Sequence, residues 1–168
     1  MIKLIAECDL NTRFGTFHEY LYSDGKTETI AMVMGDIAGE ESVLCRLHSS
    51  CLHGHAFNSI ECTCREEMEE AQKMIQQEGK GVIVWMEQEG KGNGHYALLK
   101  SIEFKRQGMK QPEAYEAAGF SRDARDFSAA AKIIKDLGLK SIRLLSSSEK
   151  KIGKLKEQGI QINETIEL

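Results

Sequence analysis

The sequence predicts an α+β fold in a single domain, residues 1–168, with a mixed or antiparallel β-sheet core and helices packed around it. Short apolar runs separated by glycine-rich turns fill the first third of the chain and indicate strands. Beyond residue 65, amphipathic segments of helical period alternate with short apolar runs. With 41% apolar and 29% charged residues, the chain has the composition of a globular domain with one core.

Each element is predicted from its own pattern. Strands are expected where apolar residues alternate or run continuously, at 2–8, 16–22, 28–34, 42–48, 81–86, 141–145 and 160–166. Helices are expected where apolar residues recur on one face, at 66–77, 97–106, 112–118, 128–137 and 149–158. Gly108, Gly119 and Gly138 follow three of these helices, where a left-handed cap favours glycine.

Composition excludes several classes of function. A net charge of −4 gives no basic surface for nucleic acid. No apolar run approaches the ~20 residues of a membrane span, and the first residues are charged too early for a signal peptide. An odd number of cysteines, five, argues against a disulfide framework. We therefore expect a cytoplasmic protein that binds neither nucleic acid nor membrane.

Three cysteines lie close together in the sequence and suggest a metal site. Cys51, Cys62 and Cys64 fall within fourteen residues, and zinc takes thiolate ligands, keeping one position open in catalytic sites. Two other interpretations remain open. The cysteines are buried and unliganded, or His53 or His55 completes a closed structural site.

Five segments of the chain together carry a family resemblance. They read RLHSSCLHGH at 46–55, ECTC at 61–64, QEGK at 88–91, GFSRDARDF at 119–127 and SSSEKK at 146–151. In order and spacing they resemble the GTP cyclohydrolase II family over nearly the whole chain. On this basis the chain is identified as a divergent, short member of that family.

The resemblance implies a hydrolase that opens the imidazole ring of a purine nucleotide, GTP in the family, and releases formate and pyrophosphate for riboflavin biosynthesis. It implies Zn2+ on Cys51, Cys62 and Cys64, which activates water, with Asp123 transferring protons and Arg125 acting at the α-phosphorus. A homodimer and Mg2+ on the triphosphate are also implied. The expected nucleotide contacts are Arg46, His48, Ser49, Ser50, Glu67, Glu89, Gly90, Lys91, Gln111, Ser146 and Lys151.

The pocket departs from the family pattern at several of these positions. Ser50 replaces a glutamate, Glu67 a glutamine, Lys91 an arginine and Gln111 a threonine, while Ile102 stands where the family has a tyrosine. Buried hydrogen-bonding groups decide which base a pocket accepts. The alternatives are therefore a relative that acts on another purine nucleotide, one that stops at a formamidopyrimidine, or a non-catalytic protein that binds zinc and nucleotide.

Overall fold

A computed structural model describes all 168 residues and confirms the predicted α+β class. Seven strands form one mixed sheet, and the chain also contains six helices. The strands are β1 Lys3–Thr12, β2 Gly15–Ser23, β3 Glu28–Met34, β4 Val43–Ser49, β5 Gly81–Met86, β6 Ile142–Leu144 and β7 Ile162–Thr165. The helices are α1 Leu52–His55, α2 Cys64–Glu78, α3 His95–Arg106, α4 Gln111–Ala117, α5 Ser128–Asp136 and α6 Glu149–Glu157.

The sheet has an antiparallel half and a parallel half. Its strand order is β1-β2-β3-β5-β4-β6-β7, antiparallel from β1 to β5 and parallel from β5 to β7. Ser49 at the end of β4 lies opposite Met86 at the end of β5. The loops that follow β4, β5 and β6 therefore open at one edge of the sheet, the usual place for a ligand crevice in parallel sheets.

The core lies on both faces of the sheet because side chains alternate along each strand. Val43, Cys45 and Leu47 of β4 join the buried cluster that includes residues of α5 and α6. Leu44, between them, joins the opposite cluster with Ala71 of α2. Helices thus cover both faces, and β5 is apolar on both sides, as its continuous run predicted.

The element boundaries differ from prediction mainly around the cysteines. Helix α1 was not predicted; it has only four residues and begins where the Cys51 side chain accepts a hydrogen bond from Gly54 N. Helix α2 begins at Cys64, so that this cysteine lies in the first helical turn instead of preceding it. The predicted glycine caps are confirmed, since Gly108, Gly119 and Gly138 all have positive φ. No helix combines the length and the apolar character needed to span a membrane.

Candidate active site

A cavity of about 650 Å³ lies at the carboxyl ends of β4, β5 and β6. It brings together every predicted site residue except Asp123, which is hydrogen-bonded to Arg125. Those lining the wall are Arg46, His48, Ser49, Ser50, Cys51, Cys62, Cys64, Glu67, Glu89, Gly90, Lys91, Gln111, Arg125, Ser146 and Lys151.

The three thiols have the spacing of a metal site. Cys51 Sγ lies 3.8 Å from Cys62 Sγ, and all three sulfur atoms lie within 4.8 Å of one another. Tetrahedral zinc with bonds of about 2.3 Å places its sulfur ligands about 3.8 Å apart, so these side chains fit the ion. Neither His53 nor His55 belongs to the group. The structure therefore does not support the closed Cys3His shell.

The backbone holds the thiols in place from two sides. Cys51 caps α1 and Cys64 begins α2, and Arg65 joins these helices by donating hydrogen bonds to the carbonyls of Gly54, at 3.2 Å, and His55. Burial raises the pKa values of the Cys51 and Cys64 thiols, and at Cys64 the two neighbouring thiols add to the effect. Such thiols keep their protons until a cation binds.

Residue 54 has no room for a side chain. A Cβ built on Gly54 would lie 2.8 Å from Cys62 Sγ and 3.1 Å from Cys64 Cβ. The glycine therefore leaves the space into which the three sulfur atoms converge, a requirement that the sequence pattern alone did not reveal.

Two histidines connect the cavity floor to α1. Arg46 Nε donates to His48 Nδ1 at 3.3 Å, which assigns the His48 proton to Nε2, and this nitrogen donates to His55 Nε2 at 2.8 Å. Burial, with the nearby positive charge of Arg46, lowers the pKa of His48 to about 2. His48 is thus a neutral donor. Both rings contact Trp85, with centroids 5.6 Å and 5.1 Å away.

Basic side chains concentrate along one wall of the cavity, next to the two histidines. Lys151 is buried and donates from Nζ to the carbonyl of Leu47 at 2.9 Å. Burial and the charges of Arg46 and Arg125 lower the pKa of Lys151 to about 7. Together with Lys91, these cations form a wall suited to the oxygens of a phosphate chain.

Asp123 and Arg125 form a two-point ion pair. Arg125 donates from Nε to Asp123 Oδ1 at 2.9 Å and from Nη2 to Oδ2 at 2.7 Å. Lys91 and Lys150 lie 3.9 Å and 3.4 Å from the same carboxylate. Partial burial alone would raise the pKa of Asp123, but the hydrogen bonds from Arg125 and the nearby cations outweigh it and bring the pKa to about 2. Asp123 is therefore ionised at neutral pH.

The turn after β5 clamps the loop that carries this ion pair. Gln88 exchanges two hydrogen bonds with the backbone of Asp126, at 2.7 Å and 2.8 Å, and Ala124 N donates to the carbonyl of Lys91 at 2.7 Å. Lys91 has φ +52°, a conformation rare outside glycine. A Cβ on Gly92 would lie 2.7 Å from the Ala124 carbonyl oxygen. The glycine permits this close approach.

Glu89, in the turn after β5, contacts the start of helix α1. Its Oε1 accepts hydrogen bonds from Leu52 N at 3.2 Å and pairs with His95 Nδ1 at 2.6 Å. Gln88 and Tyr115 also line the cavity and were not predicted as site residues. Gln88 adjoins the QEGK segment and was within reach of sequence reasoning. Tyr115 lies in a short helix without a motif, and only tertiary packing reveals its place.

The fold and cavity define an α+β domain with three convergent thiols, spaced as metal ligands would be, beside a cationic wall. The model of the family described as GTP cyclohydrolase II matches residues 3–167. The chain belongs to this family.

Among curated proteins, the chain is similar to the riboflavin biosynthesis protein RibBA of Bacillus mycoides, with 42% identity over 165 residues, and to that of Bacillus cytotoxicus, with 40% identity. Each alignment covers 97% of this chain and 42% of the relative, so the chain spans about two fifths of the length of these proteins. Among solved structures, it resembles RibBX, a two-domain 3,4-dihydroxy-2-butanone 4-phosphate synthase from A. baumannii. The TM-score is 0.55 with 16% identity, over 99% of this chain and 40% of that one, and the likeness concerns the fold alone.

Proposed function

We propose that this chain is a zinc-dependent hydrolase that opens the imidazole ring of GTP and releases formate and pyrophosphate. The observation that carries the proposal is the meeting of three convergent thiols and a cationic wall in one cavity. Cys51, Cys62 and Cys64 would hold the zinc, which when bound supplies a water activated at neutral pH.

The cationic wall would hold the triphosphate, together with Mg2+. Arg125 presents a planar fork suited to two phosphoryl oxygens, and Lys91 and Lys151 add point charges. Asp123 holds that fork in the free protein. Because phosphate oxygens compete for Arg125, substrate binding would release the Asp123 carboxylate to accept a proton.

The base would contact Glu67, which lies beside Arg46 of the cationic wall. Arg46 Nη2 binds Glu67 Oε2 at 3.1 Å, which leaves Oε1 to accept hydrogen bonds from a ligand. The N1–H and N2–H groups of guanine are donors, whereas adenine presents an acceptor at N1. A carboxylate therefore favours guanine, because it would leave the adenine edge unpaired.

The wider setting follows from the family and its relatives. We propose that the reaction supplies riboflavin biosynthesis, the process that names the RibBA relatives. A homodimer and a cytoplasmic location complete the proposal, both by analogy with the family.

The test is a nucleotide panel. Zinc-loaded protein with Mg2+ is incubated with GTP, ITP and ATP, and formate and pyrophosphate are measured. GTP should yield both products and ATP neither. Formate from ATP but not from GTP would contradict the assigned base, and zinc-saturated protein that releases no formate from any of the three would contradict the enzymatic proposal.

A further inference from the structure

The cavity contains a tyrosine to which the proposed function has not yet given a role. Tyr115 of α4 lines the cavity and is only 1% exposed. Burial raises its pKa to about 12, and Cys51 and Glu89 act on it in the same direction through their charges. The phenol thus keeps its proton at neutral pH. It lies close enough to Cys51 and Glu89, at the proposed reaction centre, for their charges to act on it.

A small polar network surrounds this hydroxyl. Tyr115 interacts with the Ser101 hydroxyl, which donates to the carbonyl of Leu98 at 2.8 Å and accepts from Gln111 Nε2 at 3.3 Å. Ser101 is completely buried, and its hydroxyl lowers the pKa of Tyr115, in part against the effect of burial. The adjacent Ile102 also lines the cavity and has no hydroxyl. Tyr115 is therefore the phenol available on this wall.

Ring opening leaves a formyl group on nitrogen, and its release as formate requires a proton donor. An amide nitrogen leaves only when it is protonated as its bond to carbon breaks. Asp123 is assigned to accept protons in the proposed function, the His48 Nε2 proton is donated to His55, and Lys151 donates to the carbonyl of Leu47 at the phosphate end. These three groups are therefore poorly suited to donate that proton, whereas a neutral phenol is suited to it.

We propose that Tyr115 is a catalytic residue of this site, whose hydroxyl donates a proton to the departing nitrogen when the formyl group is hydrolysed. This inference rests on the proposed function. Water oxygen bonds to the formyl carbon, and the electron pair of the breaking carbon–nitrogen bond stays on nitrogen. The nitrogen takes the phenol proton and leaves as an amine, formic acid departs, and the remaining water proton restores the phenol. Ser101 orients the hydroxyl between turnovers.

The experiment compares Tyr115→Phe with Tyr96→Phe, whose side chain is 66% exposed on α3 outside the cavity. Zinc-loaded proteins receive GTP and Mg2+, and mass spectrometry follows GTP, the formamidopyrimidine and the diaminopyrimidine. Wild type and Tyr96→Phe should yield the diaminopyrimidine with formate. Tyr115→Phe should consume GTP, accumulate the formamidopyrimidine and lose about 100-fold in formate release, the lower end of what a positioned proton donor contributes.

A double variant distinguishes chemistry from packing. Ile102→Tyr combined with Tyr115→Phe returns a phenol to the same wall and should recover formate release, which a purely structural role would not do. Wild-type rates of formate release in Tyr115→Phe would overturn the inference, as would wild-type protein that itself stops at the formamidopyrimidine. Wild-type protein that consumes no GTP would instead overturn the proposed function, and the inference with it.

Discussion

Adding one methyl group at residue 54 tests the proposed metal site without removing a ligand. Gly54 does not have positive φ, so alanine is compatible with its backbone. The new Cβ would lie 2.8 Å from Cys62 Sγ, whereas carbon atoms in contact stay about 3.5–4.0 Å apart and sulfur is larger. Cys62 Sγ must therefore move by roughly 0.7 Å or more, which breaks its 3.8 Å spacing from Cys51 Sγ.

The expected loss follows from that displacement. Metal–ligand distances tolerate only about ±0.2 Å, and overpacking a filled site costs about 1–3 kcal/mol. If this cost falls on the bound state, zinc affinity decreases by about 5- to 150-fold, at 1.4 kcal/mol per factor of ten.

The assay is competition for zinc between the protein and a chromophoric chelator, with Co2+ spectra to report thiolate coordination. Gly153→Ala in α6 is the matched control, because a Cβ there would meet nothing within 4 Å. We expect Gly153→Ala to bind zinc as wild type does and Gly54→Ala to bind it more weakly. Equal affinity in the two variants would refute the argument that the sulfur atoms converge on a metal.

Three further predictions concern other parts of the cavity. Asp123→Asn should keep zinc but lose formate release by about 100-fold or more; unchanged turnover would refute its role. His55→Ala removes the acceptor of the His48 Nε2 proton and a ring that contacts Trp85, the single tryptophan, and should change the fluorescence of Trp85; an unchanged emission spectrum would contradict this. Because the pKa of Lys151 lies below its unfolded value of 10.5, urea unfolding between pH 7 and 10 should show wild-type stability rising relative to Lys151→Met, by up to about 1.4 kcal/mol per pH unit; parallel curves would contradict this.

The strands and longer helices were predictable because the spacing of the apolar residues and the positions of the glycine-rich turns agree along the chain. Strand β3 and strand β5 begin and end at the predicted residues. Strand β1 extends to Thr12, beyond the predicted end at residue 8, because hairpin pairing of Thr12 with Gly15 continues past the apolar run. Helix α1 has only four residues, too few to show a helical spacing of apolar residues. Its start depends on the Cys51 side chain, which acts as the N-cap.

The candidate site was predictable in its residue types but not in its internal contacts. The spacing of the cysteines indicated thiolate chemistry, while the convergence of their sulfur atoms at Gly54 depends on how α1 packs against α2. The resemblance implied that Asp123 and Arg125 both act on the substrate. In the structure Asp123 instead accepts from both the side chain and the backbone of Arg125, a local turn that leaves only Arg125 on the wall. The role of Tyr115 depends on the packing of α4 against α3, which no local pattern encodes.

The most direct test of the central claim uses GTP labelled at C8 and zinc-loaded protein with Mg2+. Labelled formate and pyrophosphate are counted together, with chelator-stripped protein and Cys62→Ser as controls. The account predicts one labelled formate and one pyrophosphate for each GTP consumed by the loaded protein, and neither product from the controls. Full zinc occupancy with no labelled formate, or equal formate release after the metal is removed, would contradict it.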